Sequence, residues 1–574
     1  MAFVKVTKNR EGKKYISVVE GYRIGNKVKQ RTLESLGKLE LLEADNPNFL
    51  EELREKVKNG SYQSSAESIS VTFELNAPIT DPLQNYGWKL LEGIYDILKI
   101  SRPIQVYKKR SGSHFNLDKI LKLLVFGRIL NPQSKLKTVE EQSRIFDNHD
   151  IKLHDVYRGL DALDELSEAI QLNLHKAITE SIGREAALVF YDVTNYYFET
   201  DLDDEASVGE GGEEVLALRK RGASKEKRPN PIVQMGLFMD TKGIPIAYKL
   251  FPGNCVDVKT YLPAIEQVKQ QFGIKRIVVV ADKGLNSKTN ISATLKAEDG
   301  YLFSQKFRGK KGAPKDIQAF ILDNEDWVMN PKETFAMKSF IRTRMVNKME
   351  IKEKVVATWN QAYDIREKLR REKAVEYAEK LTASERFRMT MRKGGKRYLN
   401  AKALDQETGE ILDSDFHITL DEEQMDYDAQ FDGINVLITS ELHLSDEEIL
   451  NNYRSLSRIE DCFRVMKTEF NARPVYVWTP SRINGHFLIC FLSLCIIRVL
   501  ELKLENKYSP RKLVEALNSA KCRPLNNDYW EVFGSETFLE INKSLGVSWE
   551  SHVVSVEKLR GYGKGIRVQH NISV

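Results

Sequence analysis

The segment Ala187-Leu-Val-Phe-Tyr-Asp-Val-Thr-Asn-Tyr-Tyr-Phe-Glu199 sets the tightest limit on the fold. Its aromatic and β-branched residues suit a strand, yet Asp192 sits at its centre. With a period of two, Phe190, Asp192 and Thr194 share one face, while Tyr191 and Val193 share the other. Such a strand is hard to place at a surface. A lone buried carboxylate costs several kcal/mol unless it is protonated, paired or bound to a cation. A second run, Lys275-Arg-Ile-Val-Val-Val-Ala-Asp282-Lys-Gly, is continuously apolar and ends in a carboxylate. Continuous apolar strands belong at the centre of parallel or mixed sheets. Between the two runs, Ile232–Met239 and Ile244–Phe251 read as strands joined by Asp240-Thr-Lys-Gly, which has hairpin-turn chemistry. A helix follows near 258–272. The fold class is therefore α/β.

The flanking regions differ in character. Residues 1–31 are strongly basic, with Lys5, Lys8, Arg10, Lys13, Lys14, Arg23, Lys27, Lys29 and Arg31 against Glu11 and Glu20. Their alternation over Tyr15–Tyr22 and Lys27–Leu33, about a turn at Gly25-Asn26, predicts a basic β-hairpin. Such a ribbon either tracks phosphates or is an edge kept soluble by lysines. Residues 40–70 read as polar helix ending in a Ser-rich linker near 64–68. From 82 to 182 the apolar residues recur at helical spacing. Acidic residues from Asp201 and glycines 209–212 predict a loop, followed by basic Arg219 to Arg228. Residues 300–440 alternate short strands with a charged helix. A helix is predicted over 446–468 and an apolar one over 482–504. Its greasiest stretch, Phe487 to Ile497, is too short for a span and reads as a buried helix.

Composition decides less. Of 574 residues 41% are hydrophobic, enough for real cores, and 87 basic against 82 acidic residues leave a formal charge of only +5. That near-neutral total neither requires nor excludes a nucleic-acid partner; distribution has to decide. The five cysteines are scattered with no C-x-x-C pair, which fits a reducing cytosol better than a disulfide framework or zinc ribbon. The N-terminus has no apolar core of the signal-peptide kind.

A third carboxylate, Glu460, lies on Tyr453-Arg-Ser-Leu-Ser-Arg-Ile-Glu-Asp-Cys-Phe-Arg-Val-Met-Lys467. Tyr453, Glu460 and Lys467 recur every seven residues and line one helical face; Leu456, Ile459, Phe463 and Met466 form the apolar stripe. Each acid has a plain alternative. Asp282 can cap a turn, and Glu460 can pair with Arg464 or Lys467. Their order along strand, hairpin, strand and helix is what points to a site.

In that order the chain resembles the DDE transposases of bacterial insertion sequences, whose catalytic core is RNase H-like. The resemblance rests on Tyr191-Asp192-Val-Thr, Ser224-Lys-Glu-Lys-Arg228-Pro229 leading to Gly236-Leu-Phe, Phe251-Pro-Gly-Asn254 and Val280-Ala-Asp282-Lys-Gly284. It continues through Tyr453, Glu460 and Lys467, Arg473-Pro-Val-Tyr and Arg482-Ile-Asn-Gly-His486-Phe. The branch it resembles carries a Tyr–Arg–Glu–Lys signature and a β-rich insertion before the Glu. Accordingly the gap from Asp282 to Glu460 is about twice that from Asp192 to Asp282. One departure stands out: the signature Arg falls at Leu456, flanked by Arg454 and Arg458.

The resemblance implies phosphoryl transfer with two Mg²⁺ ions per active site, Mn²⁺ substituting, held by Asp192, Asp282 and Glu460. It implies DNA contacts from Tyr453, Lys467, Arg454, Arg458, Arg464, Lys283, Lys225 and Arg228, and a flipped base stacked on an aromatic such as Trp327 or Trp359. The partners would be double-stranded DNA, as terminal inverted repeats and target, and a second copy in a homodimer. No membrane is involved; the setting would be a bacterial cytoplasm. The expected order is a basic ribbon and linker (1–70), a helical domain (76–182), the first part of the core (183–305), a β-rich insertion (306–440), the second part of the core (441–510) and a C-terminal dimerisation region (511–574). An RNase H-like nuclease that cuts without joining, and an inactive DNA-binding derivative, are the competing readings.

Overall fold

The computed structural model describes residues 2–8, 12–24, 27–60, 62, 83–111, 115–147, 150–184, 186–205, 207–208, 214–309, 313–382, 399–403, 416–525, 527–547 and 551–566. The chain divides into two compact units, Met1–Asp81 and Pro82–Val574.

In the first unit, β1 (Ala2–Lys8), β2 (Lys14–Ile24) and β3 (Lys27–Lys38) form an antiparallel sheet in that order. The predicted hairpin is β2–β3, and a further strand precedes it. The turn at 25–26 and the linker near 64–68 lie outside the described residues. Helices α1 (Leu39–Asp45) and α2 (Phe49–Lys58) follow. Ile16, Val18, Leu39, Leu53 and Val57 make a small core of this unit's own.

The second unit begins with β4 (Gln84–Asn85) and six helices: α3 (Trp88–Ile97), α4 (Ser101–Ser111), α5 (Leu117–Leu130), α6 (Lys135–Glu140), α7 (Leu153–Glu165) and α8 (Ser167–Ile182). Then comes β5 (Leu188–Tyr197), which carries Asp192. Two short strands, β6 (Ser207–Val208) and β7 (Glu214–Val215), pair with each other, the glycines between them lying outside the described residues. The antiparallel strands β8 (Ile232–Met239) and β9 (Pro245–Pro252) lead through α9 (Asp257–Phe272) to β10 (Val278–Ala281), α10 (Lys288–Lys296) and β11 (Gly300–Ser304). Strand β10 is parallel to both β5 and β11. The spatial order β9-β8-β5-β10-β11 is thus 3-2-1-4-5 in chain order, an RNase H-like core.

Beyond β11 the chain forms α11 (Lys315–Leu322), β12 (Val328–Met329), β13 (Phe335–Val346), β14 (Met349–Asn360), α12 (Gln361–Thr382), the hairpin β15 (Leu399–Ala403) and β16 (Phe416–Leu420), α13 (Glu422–Ala429) and β17 (Ile434–Thr439). Of these, β12, β13, β14 and β17 continue the central sheet, while β15 and β16 pair with each other in a sheet of their own. Strand β17 pairs with β11, β14 with β17 and β13 with β14, all antiparallel, giving nine strands in one sheet. The chain then returns as α14 (Asp446–Arg454), α15 (Ser457–Thr468) and α16 (Pro480–Lys503). Helix α17 (Pro510–Ser519), β18 (Lys521–Pro524), β19 (Tyr529–Phe533), α18 (Glu536–Leu545), β20 (Val553–Ser555) and α19 (Val556–Arg560) complete it.

Each face of the sheet carries its own core. Phe190 and Tyr196 of β5, with Val233, Met235 and Leu237 of β8, join the apolar faces of α3, α5, α7, α15 and α16. Val189, Tyr191 and Val193 look the other way, toward Tyr261 of α9. That is the alternation read from the sequence. Gly236 belongs to this packing, since a Cβ there would fall 2.3 Å from the Tyr191 hydroxyl. Helix α16 is long and apolar enough to cross a membrane, but 89% of its apolar window is buried inside the protein, as expected of a core helix.

Candidate active site

Sheet register brings the first two carboxylates side by side. Phe190 is opposite Val280 in the parallel pair, so two residues on, Asp192 in the middle of β5 and Asp282 just past the end of β10 lie at the same level. Asp192 is half-buried, and its Oδ1 accepts from the backbone N–H of Val193 at 2.8 Å. Burial pushes its carboxyl up to about 6; Lys225 and the Val193 N–H pull it down, while Asp282 and Glu460 push it up further. The three acids named from sequence therefore lie within reach of one another's charge. Asp282 and Glu460 are exposed. The donor set is all oxygen, as a hard divalent cation prefers, and such a cation would offset the repulsion that raises Asp192. Among the described residues, no three His, Cys, Asp or Glu side chains are already gathered at metal-holding distance, so the exposed pair would have to move to close around an ion.

The helix predicted over 446–468 is split in two. Ser455 and Ser457 donate side-chain bonds to the carbonyls of Asn451 and Arg454 at 3.0 and 2.9 Å. Local competition of this kind weakens the helical ladder. The amides of Leu456, Arg458 and Ile459 switch to carbonyls three residues back. Tyr453 thus lies in the last turn of α14, whereas Glu460 stands in the first turn of α15 and Lys467 in its last. Tyr453 still joins the site: its hydroxyl donates to Asp282 Oδ1 at 3.2 Å and meets Ser304 at the end of β11. Burial raises that phenol further.

Lys467 lies beside Asp192 on the Thr194 side. Its Nζ donates to Thr194 Oγ1 at 2.7 Å and sits 5.4 Å from the Tyr196 ring. Burial, helped by the charge of Lys225, lowers it to about 8, with Asp192 pulling upward. Lys225 donates to the Val193 carbonyl, so it serves as the cation nearest in effect to Asp192. Arg228 lies over Tyr197 at 4.1 Å.

Three of the other expected DNA contacts, Arg458, Arg454 and Arg464, have protein partners. Arg458 donates to the Thr241 carbonyl at 2.7 Å, in the β8–β9 turn. Arg454 faces the Phe335 ring at 5.4 Å. Arg464 pairs with Asp461 at 2.6 Å on its own helix. Lys283 is exposed beside Asp282. Leu456, at the signature Arg position, is buried in the core at 7% exposure, where a guanidinium would be desolvated. Trp327 and Trp359 are half-buried against the second core. Sequence reasoning missed Glu226 and Arg473, which form an ion pair beside Lys467. Both belong to the quoted motifs, but isolated exposed charges carry no signal of their own.

Residues 3–67 match the family model of the IS1634 family transposase N-terminal domain, and residues 211–496 that of the transposase DDE domain. The second match contains Asp282 and Glu460 and starts after Asp192. No curated protein matches the chain. Among solved structures, a piggyBac transposase synaptic complex with hairpin DNA aligns at 10% identity over 79% of this chain and 82% of that one, with a TM-score of 0.34. A pre-cleavage Mos1 transpososome aligns at 11% identity over 33% and 59%, with a TM-score of 0.14. The RNase H-like assignment rests on the strand order instead. Core, acids and family matches together define a DDE-class enzyme acting on DNA. The two matched domains span more than half the chain, and the protein belongs to the insertion-sequence DDE transposases, with an N-terminal domain of the IS1634 type.

Proposed function

We propose that this transposase cleaves the ends of its own element and joins the freed 3′-hydroxyl to target DNA at one site built from Asp192, Asp282 and Glu460. The observation that carries this reading is the sheet register that sets Asp192 level with Asp282, together with the charges of Asp282 and Glu460 both acting on the half-buried Asp192 carboxyl. Asp192, Asp282 and Glu460 would together hold the Mg²⁺ or Mn²⁺ ions. When bound, such ions activate the attacking oxygen and stabilise the leaving one. The chain's own groups do the positioning. Tyr453 holds Asp282 toward the site, Lys225 tempers the charge of Asp192, and Lys467 presents an ammonium to the phosphate beside the cleaved bond. A homodimer would bring two ends together.

The test is purified full-length protein with Mg²⁺ and linear DNA carrying the inverted repeats that flank the coding sequence. Wild type should nick the repeat ends and join them to a target. Asp192→Asn, Asp282→Asn and Glu460→Gln should each lower both steps by about 10²–10³-fold or more, the scale seen when a group stabilising a transition state is removed. Full activity in these variants would overturn the assignment. Cleavage with no joining in wild type would identify a nuclease.

A further inference from the structure

One carboxylate stands among the cations beside Asp192. Glu226 lies in the loop leading to β8, where the Ser224 Oγ accepts the backbone N–H groups of Glu226 and Arg228 at 3.3 and 3.4 Å. Lys227 takes a left-handed φ of 57°, completing a compact turn. The turn sends its charges in different directions: Lys225 toward Val193 and Asp192, Arg228 onto Tyr197, and Glu226 onto two basic groups from far along the chain. Glu226 Oε1 lies 3.7 Å from Lys467 Nζ and pairs with the guanidinium of Arg473. All three side chains are partly withdrawn from water, at 23%, 14% and 24% exposure.

Two cations, Lys467 and Arg473, thus hold one anion at the edge of a site whose substrate is a phosphodiester. A carboxylate and a phosphodiester offer an arginine fork the same thing, a pair of oxygens sharing negative charge. Without DNA, Lys467 and Arg473 would face each other desolvated and uncompensated, which is costly. Glu226 removes that cost. Lys467 has a second anchor in Thr194 at 2.7 Å, so it would keep its place if Glu226 left.

We infer that Lys467 and Arg473 form a phosphodiester subsite, and that Glu226 occupies it until a DNA strand displaces it. This rests on the reading of DNA as substrate. Arg473 becomes a DNA ligand and Glu226 an autoinhibitory residue that makes DNA binding pay for breaking an internal ion pair.

The test uses the full chain in EDTA, so that chemistry is silent, with a fluorescein-labelled duplex carrying one terminal repeat and anisotropy as the readout. Glu226→Gln should bind about two- to fivefold tighter than wild type, the scale of a partly exposed ion pair. Arg473→Gln should bind more weakly, and adding Glu226→Gln to Arg473→Gln should gain less than it does in wild type, because only Lys467 is then freed. A gain of the same size without Arg473 overturns the inference. So does a Glu226→Gln variant with wild-type melting temperature and no gain. Should that variant melt early, Glu226→Ala supplies the same comparison, and absence of a gain there is equally decisive. If wild type binds no duplex, the DNA reading falls together with this one; if it binds and the Glu226 variants gain nothing, only this inference falls.

Discussion

Asp192 sits where an anion is disfavoured, and the metal-free protein bears that cost. Its carboxyl titrates at about 6 in the folded chain, against an ordinary value of 3.8. A folded acid with a raised pKa binds more protons than the unfolded one between those values, so its stability falls as pH rises from about 4 to 6. Above pH 6 the whole penalty is present. Asp192→Asn should therefore raise the unfolding free energy of EDTA-treated protein, read from its denaturant midpoint at pH 7.5, by about 1–3 kcal/mol, and the gain should shrink toward pH 4. Equal midpoints at pH 7.5 would show that the neighbours already neutralise the carboxylate. This is the stability–activity conflict expected of a charged catalytic group. It is also why Asp192 was legible in the sequence: a carboxylate inside a Phe-Tyr-Val strand violates local patterning. Glu226 and Arg473 violate nothing, since an acid among lysines and an arginine before proline look like any solvated surface. Only the tertiary fold, which sets Glu226 against both Lys467 and Arg473, gives them a role.

The elements around the site are tied together by a buried joint whose charge is unusual. Lys135, the first residue of α6, places its Nζ 2.7 Å from Nδ1 of His486 on α16. His486 Nε2 in turn meets the Ala472 carbonyl at 3.1 Å, directly before Arg473. Arg128 of α5 reaches the Phe470 carbonyl at 3.0 Å, and Cys490 packs against the imidazole. Burial, reinforced by the Arg128 charge and opposed by Cys490, lowers the ammonium of Lys135 from 10.5 to about 7. A lysine with a lowered folded pKa binds fewer protons folded than unfolded between those values, so the fold gains stability as pH rises from about 7 to 10, by about 1.4 kcal/mol per unit. Lys135→Met should remove that part of the slope in unfolding midpoints measured across the range; an unchanged slope would mean that Lys135 stays charged when buried. Local signals reveal such elements well. Alternation and turn chemistry in 232–251 gave the β8–β9 hairpin, and the apolar run gave α16. They fail where an element is decided by distant or competing contacts. The Ser-Leu-Ser break between α14 and α15 depends on side-chain bonds that do not disturb the apolar stripe. Likewise, nothing local in Ile434–Thr439 tells that it pairs with β11 on one edge and β14 on the other.

At the scale of the whole molecule, the central sheet separates two cores and carries acids and cations at one site, while further basic residues lie in a separate compact unit. A net charge of +5 is thus an average over groups with opposite tasks. In the N-terminal sheet, Lys8 and Lys14 are paired directly across β1 and β2, and both are exposed. Like charges in that position destabilise a sheet, so the arrangement is poor design for a solvated edge and sensible for a ribbon that meets phosphates. The two readings differ in salt dependence. Each phosphate neutralised adds about 0.9 to the fall of log K with log salt on duplex DNA. The double variant Lys8→Ala, Lys14→Ala should therefore lower that slope by about 1.8, with weaker duplex binding at low salt, while the melting temperature stays level or rises. An unchanged slope would assign the lysines to solubility alone, and DNA contact would then have to come from basic groups in the larger unit, where Lys467 and Arg473 are already held by Glu226.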